Sequence, residues 1–494
     1  MGKSILRIMI TILCLVLQLA VINIFYYSVI HRIPFIGLIY SLLCLYGVLM
    51  IIKNSNNYSF TLPWIIIFLL IPIPGSILFL VVRNSIKRSK LVKNIIKNEK
   101  ENSNYLIQNE KIDDDSSTIK YLSNYAGFSA TKHNKLVYYP LGDDAFETMI
   151  SELKKAEKFI FFEYFIVSNG IFWEAILEVL EEKAKAGVEV RVMYDDFGCL
   201  TTLESDYYKE LEKRGIKSFA FNPFKALSGA VVNNRDHRKI LVIDGKVAFS
   251  GGINIADEYI NMEKRFGHWK DNCIMVKGDA VWNYTVMFLT MWNAVKNEDK
   301  DYKKYKYEFK NKYKENGYLV PYSLNPFKRD SIGEDVYLNI INQAQKYVYI
   351  FTPYLVIDHN MFNSLIMSVK RGVDVCIVVP NIPDKKIVFT VTESYVDALT
   401  NNGVKVYKYT PGFIHSKVFV SDDIKATVGT INLDYRSLFF HFECGCYIEK
   451  CDAIKDIKKD ADKTIASSTL VPKKKVGKVK SFWQSILRLF APLM

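Results

Sequence analysis

Two stretches of this chain, roughly Lys135–Gly278 and Gly333–Lys450, repeat one another, and a duplicated unit of that size restricts the fold more than composition does. Lys155–Lys158 runs into the apolar string FIFFEYF, as Gln343–Lys346 runs into YVYIFTPY. AKAGVEVRVMYDD then matches VKRGVDVCIVVPN, each reading as a helix end, a turn glycine (Gly187, Gly372) and a Val/Ile-rich strand buried on both faces. LEKRGIKSFAFNPF matches LTNNGVKVYKYTPGF in the same way. Alternating helix and strand predicts parallel sheet layered with helices. Each copy closes on a strand pair around DHRKILVID or IHSKVFVSD, followed by a Gly-x-x-Asn turn. The expectation is one α/β molecule with two related halves about a pseudo-twofold axis.

The chemistry-bearing residues fall at matching places in both copies. His237, Lys239 and Asp244 precede Gly251, Gly252 and Asn254; His415, Lys417 and Asp422 precede Gly429, Thr430 and Asn432. In a strand, residues two apart share a face, so each H-x-K would send one imidazole and one ammonium to a common site. Exchange at a phosphodiester needs a nucleophile for phosphorus, an acid for the departing alkoxide and fixed positive charge on the non-bridging oxygens. Two imidazoles, two lysines and two asparagine amides supply that set, and no convincing cluster of metal ligands is readable, so neither metal nor cofactor is expected. A single H-x-K would be weak evidence. Two copies with the same downstream glycine and asparagine are hard to ascribe to packing.

At 494 residues the chain is long enough for two soluble lobes plus accessory segments. Lys and Arg outnumber Asp and Glu by 65 to 52, which favours anionic partners without choosing between nucleic acid and an anionic membrane. Apolar runs at Ile5–Ile30, Ile33–Ile52 and Leu62–Val82 read as two or three transmembrane helices. The basic residues after them, from Arg83 to Lys100, predict that the catalytic portion faces the cytoplasm. Lys3 and Arg7 pull the N-terminus the same way, so the number of spans stays open. At the other end, Phe482, Trp483, Ile486, Leu487, Phe490 and Leu493 follow helical spacing behind a run of lysines. They predict an amphipathic helix, either interfacial or packed on the body. The eight cysteines show no disulfide or zinc spacing and read as structural thiols.

The expected organisation is a membrane anchor (1–82), a basic juxtamembrane segment and linker (83–134), a first half (135–297), a linker rich in Lys and Tyr (298–332), a second half (333–451) and a basic amphipathic tail (452–494). Lys90–Ile119 reads as a tether between anchor and enzyme. Glu163 and Tyr164 would sit at a strand end near the site, with packing as their expected use. Ser250, Thr430 and Ser437 could assist phosphate binding or merely shape turns.

The paired motifs, together with LPWIIIFLLIPIPG, FFEYFI, RDHRKILVIDGKVAFSGGINIADEY, PGFIHSKVFV, VGTINLDYRS and the terminal LFAPLM, resemble the phospholipase D superfamily, and within it the bacterial cardiolipin synthases, over nearly the full chain. That resemblance implies a sandwich of mixed sheets flanked by helices, preceded by N-terminal transmembrane helices in a bacterial cell membrane. It implies phosphatidyl transfer between two phosphatidylglycerol molecules, giving cardiolipin and glycerol through a phosphatidyl-histidine. His237 is assigned as nucleophile and His415 as acid and then base, with the reverse assignment open. Lys239, Lys417, Asn254 and Asn432 would hold the phosphoryl oxygens. Asp271 and Glu443 would each orient the histidine of the opposite half. Asp244 and Asp422 complete the catalytic motifs, with bracing of strand ends as their expected contribution. The leading apolar run is not in every relative, and His441 stands where the family pattern has Asn, which bears on the acceptor. Alternatives are hydrolysis by water, transfer to another alcohol, or a membrane-tethered nuclease; nucleic acid is not the expected partner.

Overall fold

The computed structural model describes residues 34–54, 58–70, 89–106, 116–223, 233–328, 330–474 and 477–493, with a few isolated positions before residue 80. Two compact units result, one up to Arg88 and one from Ser89. In the first, the helices Pro34–Asn54 and Tyr58–Leu70 pack together where Gly47 admits the Phe68 ring; a Cβ at Gly47 would meet that ring at 2.6 Å. Among the described residues no helix is long and apolar enough to cross a membrane. Apart from isolated positions, the apolar run Ile5–Ile30, the end of Leu62–Val82 and the basic positions Arg83, Lys87 and Arg88 lie outside the described residues.

The second unit is the duplicated body. Its first half contains β1 (Asn134–Tyr139), β2 (Phe159–Tyr164), β3 (Glu189–Asp195), β4 (Lys217–Phe221), β5 (Ile240–Ile243), β6 (Val247–Gly251), β7 (His268–Lys270) and β8 (Cys273–Gly278). The second contains β9 (Tyr318–Leu324), β10 (Tyr347–Phe351), β11 (Leu355–Val356), β12 (Asp374–Pro380), β13 (Lys405–Tyr409), β14 (Gly412–Ile414), β15 (Val418–Ser421), β16 (Lys425–Gly429), β17 (Leu433–Asp434), β18 (Glu443–Glu449) and β19 (Ser468–Leu470).

The first sheet has the order β1-β8-β6-β5-β2-β3-β4, and the second repeats it as β9-β18-β16-β15-β10-β12-β13 with β19 added at the edge. Within these two sheets, among the described residues, only β2-β3-β4 and β10-β12-β13 run parallel; β1, β5, β6 and β8 and their counterparts pair antiparallel. The sheets are therefore mixed. Parallel strands arise where a helix supplies the crossover, and antiparallel ones where tight turns link the motif strands.

Four segments differ from the sequence reading. The second half begins at β9, within the expected linker, because β9 is the counterpart of β1 and closes the sheet against β18. Lys90–Leu106 is no tether: it is an amphipathic helix that buries Val92 and Ile95, and Asn94 Nδ2 donates to the Ala294 carbonyl at 3.0 Å. In the Lys/Tyr-rich segment, Tyr302 and Tyr305 are buried, and nearby Asp299 holds the buried Arg191 at 2.5 Å. The tail likewise contributes a packed helix, Ala453–Ala466, whose Asp460 binds Lys270 at 2.8 Å and Tyr138 at 2.7 Å.

Asp244 and Asp422 turn the motif hairpins with φ of 53° and 54°. The Asp244 carboxylate accepts the backbone N–H groups of Glu157, Lys158 and Phe159 at 2.9, 2.7 and 2.9 Å. Asp422 accepts those of Gln345, Lys346 and Tyr347 at 2.7, 2.9 and 2.9 Å. Each thus locks its hairpin to the start of the neighbouring strand. A four-residue strand rising about 3.3 Å per residue separates each aspartate from its histidine, so inclusion of Asp244 and Asp422 among the catalytic residues is corrected: they brace the sheets. Asp244→Ala should therefore lower the unfolding free energy by about 2–4 kcal/mol in urea titrations, with a smaller loss for the less buried Asp422→Ala.

Candidate active site

The two H-x-K motifs lie just before β5 and β15 rather than inside them, and the backbone of each histidine is held by the other half. His237 N–H donates to the Phe442 carbonyl at 2.9 Å, and His415 N–H to the Lys270 carbonyl at 2.7 Å. The second exchange extends the parallel pairing of β7 with β14, and the first is a parallel bridge between Asp236 and Phe442. Phe442 and Lys270 immediately precede Glu443 and Asp271. The backbone exchange thereby delivers each carboxylate to the opposite histidine.

His237 Nδ1 lies 2.9 Å from both Glu443 carboxylate oxygens, and His415 Nδ1 lies 2.6 Å from Asp271 Oδ2. A carboxylate that accepts this bond fixes the proton on Nδ1 and leaves Nε2 with the lone pair. Both histidines line one cavity of about 320 Å³. The Thr430 and Ser437 hydroxyls donate to Glu443, the Thr430 bond measuring 2.5 Å. Asp271 instead crowds Gly252, where a Cβ would fall 2.0 Å from Oδ1, so the position tolerates no side chain.

Lys239 and Lys417 are buried behind their histidines. Lys239 Nζ donates to the His237 carbonyl at 2.7 Å, and Lys417 Nζ to the His415 carbonyl. Burial lowers Lys239 to about 8 against the pull of Glu443, and Lys417 to about 7 against that of Asp271. Burial and the neighbouring lysines also favour neutral imidazoles, holding His237 well below its ordinary value and His415 at about 4. The carboxylates differ. Burial pushes Glu443 up despite Lys239 and its hydroxyl donors, whereas at Asp271 the burial penalty is outweighed by Lys417, His415 and the Asn272 N–H, leaving it below the usual range.

Asn254 and Asn432 line the same cavity. Asn254 Nδ2 donates to Tyr259 Oη at 2.7 Å while its Oδ1 accepts the Ile166 N–H at 3.1 Å. Among the described residues, none donates a hydrogen bond to the buried Oδ1 of Asn432. Ser250 supports the lysine backbone, donating to the Lys239 carbonyl at 2.9 Å. Glu163 pairs with the buried Arg238 at 2.5 Å, and Arg238 Nε also reaches Asp236 at 3.1 Å; this network was not read from the sequence.

Other wall residues also escaped the motif reading. Phe165 packs on His237 with centroids 4.8 Å apart, and Tyr259 and Trp269 pack on His415 at 5.4 and 5.7 Å. Arg235, Arg265, Lys385 and Arg436 add cationic lining from four separate segments. His441 is the third histidine of the cavity, its ring 5.7 Å from His237 and its Nδ1 3.8 Å from Glu443. Burial, Arg436 and Lys239 lower it to about 3. His237, His441 and Glu443 offer three potential metal-ligating atoms within 4.8 Å of one another, a grouping the sequence spacing did not reveal. The His237–Glu443 hydrogen bond already occupies that space.

Two imidazoles with paired carboxylates, set over buried ammoniums between duplicated sheets, define a phospholipase D-like site. The family model described as cardiolipin synthase, PLD-like domain, matches residues 149–292 and 337–465. A Streptococcus mutans protein is 50% identical over 76% of this chain and 82% of its own length. A cardiolipin synthase of Clostridium perfringens is 33% identical over 89% and 95% respectively. The solved phosphatidylserine synthase of Haemophilus influenzae Rd KW20 shares the fold, with a TM-score of 0.58 at 15% identity, over 76% of this chain and 98% of that one. The chain belongs to the cardiolipin synthase family of phospholipase D-like proteins and is a phosphatidyltransferase.

Because both lysines have lowered values, their charge is present at acidic pH and lost as pH rises through about 7 and about 8. Sulfate, a dianion throughout this range, should bind at least tenfold more weakly at pH 9 than at pH 6 by calorimetry. Lys417→Met should flatten the dependence; a flat wild-type profile would contradict the charge assignment.

Proposed function

We propose that this enzyme joins two phosphatidylglycerol molecules into cardiolipin and glycerol. The observation that carries the reading is a single cavity bearing two imidazoles, each with Nδ1 engaged by a carboxylate and Nε2 left as the reactive nitrogen. His237 Nε2 attacks the phosphorus of the first lipid, forming a P–N bond as the bond to the headgroup glycerol breaks. His415 Nε2–H gives its proton to the departing oxygen. A hydroxyl of the second phosphatidylglycerol then enters, yields its proton to His415 and attacks phosphorus, and cleavage of the P–N bond restores His237. The sequence is reversible and uses one histidine as acid and then base.

Both imidazoles favour the neutral state in the free enzyme, so His415 takes its first proton from solvent as the substrate binds. The phosphodiester anion itself provides the drive: a negative charge within a few ångströms favours the protonated imidazole. His415 is the better recipient, since its partner Asp271 is held below the usual carboxylate range while Glu443 is pushed up. Lys239 and Lys417 offer positive charge close to the reacting centre, and Asn432 an amide in its wall. We place this chemistry at the cytoplasmic face of a bacterial membrane, with the apolar N-terminal segments as anchor; their composition and basic flank support this.

Full-length protein in detergent micelles with phosphatidylglycerol and a chelator should yield cardiolipin and glycerol in equal amounts. His237→Ala and His415→Ala should each lose at least 10³-fold in kcat. Wild type quenched in neutral denaturant during turnover should carry phosphatidyl label on the peptide bearing His237, and His237→Ala should carry none. Phosphatidic acid as main product would mean that water is the acceptor, and product formation by His237→Ala would remove it as nucleophile.

A further inference from the structure

A second cavity, of about 370 Å³, adjoins the catalytic one and shares Tyr354, Lys385, Asp434 and Arg436 with it. Beyond those four residues the character changes. Its other walls are Val356, Ile387, Val388, Tyr435 and Ala491, with no charged group among them. Ile387 begins this wall on the helix Lys386–Asn401 and is 65% exposed, a large apolar side chain left open to solvent.

The junction is suited to an anion. Lys385 and Arg436 are both exposed there. The two nearby carboxylates are already engaged: Asp384 accepts the Tyr354 hydroxyl at 2.5 Å, and Asp434 accepts the Ser437 N–H at 2.8 Å as the cap of the helix Tyr435–Phe439. A molecule with an anionic group at the junction and an apolar part beyond it would match the lining of both cavities.

The C-terminal helix Lys478–Phe490 ends at Ala491 and so forms one side of this second cavity. It is fixed to Lys386–Asn401 through polar bonds. Lys480 and Gln484 reach Asp397 at 3.0 and 2.9 Å, and Arg488 Nε reaches Ser394 Oγ at 2.9 Å. Its outer face leaves Val479, Phe482 and Trp483 exposed by 74, 63 and 59%. Of the two alternatives raised by its sequence, packing on the body is the one observed; the other face presents apolar rings of the kind that seat at a bilayer interface.

We propose that this second cavity receives the acyl chains of the phospholipid whose phosphate enters the catalytic cavity, with the C-terminal helix as its bilayer-facing wall. The inference rests on the phosphatidyl-transfer reading and adds the lipid's route: chains pass between Lys386–Asn401 and the C-terminal helix, and the headgroup passes Lys385 and Arg436. Apolar burial drives the first contact and the cationic pair orients the second.

The test uses full-length protein in mixed micelles with a phosphatidylglycerol analogue carrying a diazirine on one acyl chain. Photolysis and peptide mapping should place adducts on the segments containing Ile387–Val388 and Tyr435, reduced at least fivefold in Ile387→Glu and less in Ile387→Ser. In parallel, Ile387→Glu should lower kcat/KM at least tenfold on long-chain phosphatidylglycerol and by less than twofold on a monomeric short-chain analogue. Adducts only elsewhere, labelling unchanged in Ile387→Glu, or equal losses on both lipids would overturn the groove. Groove adducts without turnover by wild type would sustain the groove while ending the transferase reading; turnover without groove adducts would do the reverse.

Discussion

The site depends on an exchange of backbone between the two halves. His237 is bonded to the strand end that precedes Glu443, and His415 to the strand end that precedes Asp271. Because the carboxylate follows its carbonyl by one residue, fixing the main chain also fixes the Nδ1 partner. Neither half holds a complete histidine–carboxylate pair alone. Duplication within one chain ensures that both pairs form together, at a loop-closure cost that grows only logarithmically with the intervening length. The packed tail reinforces this arrangement, since Asp460 grips Lys270 at the end of β7, one residue before Asp271.

Around that exchange the electrostatics are arranged to receive negative charge. Two lysines and three histidines are gathered with two carboxylates in a buried setting, and burial lowers all five basic groups. In water such groups would be screened; here each responds strongly to an arriving charge. Under the proposed reaction, an arriving phosphodiester would raise the proton affinity of the imidazoles and of the lysines behind them.

What was legible in the sequence follows from periodicity and repetition. The duplicated strings carry the sheet order of both halves, since each copy repeats the same succession of helix, turn glycine and buried strand. Their mixed character was harder to see, because β5, β6 and β8 are short apolar strands whose direction is set by turns. β9 was missed because Tyr318–Leu324 lies in a Lys/Tyr-rich context, and its role as the counterpart of β1 is visible only through pairing with β18. The motif histidines and lysines stood out by spacing. The Phe165, Tyr259 and Trp269 walls, the Arg238–Glu163 pair and the Thr430 and Ser437 bonds did not, because they join residues far apart in the chain or common in turns.

The pseudo-twofold relation makes the histidines alike in sequence, yet their surroundings separate them. Asp271 is a short carboxylate pressed against Gly252; against its burial, Lys417, His415 and the Asn272 N–H keep it below the usual carboxylate range. Glu443 is longer, takes two hydroxyl donors and stands beside both His237 and His441. An imidazolium is stabilised by an ionised partner and opposed by a second imidazole and burial, so protonation favours the His415 side. That inequality supports giving His415 the proton-carrying role and His237 the role of nucleophile. The two otherwise matching halves diverge at this point, with Gly252 beside one carboxylate and Thr430 donating to the other.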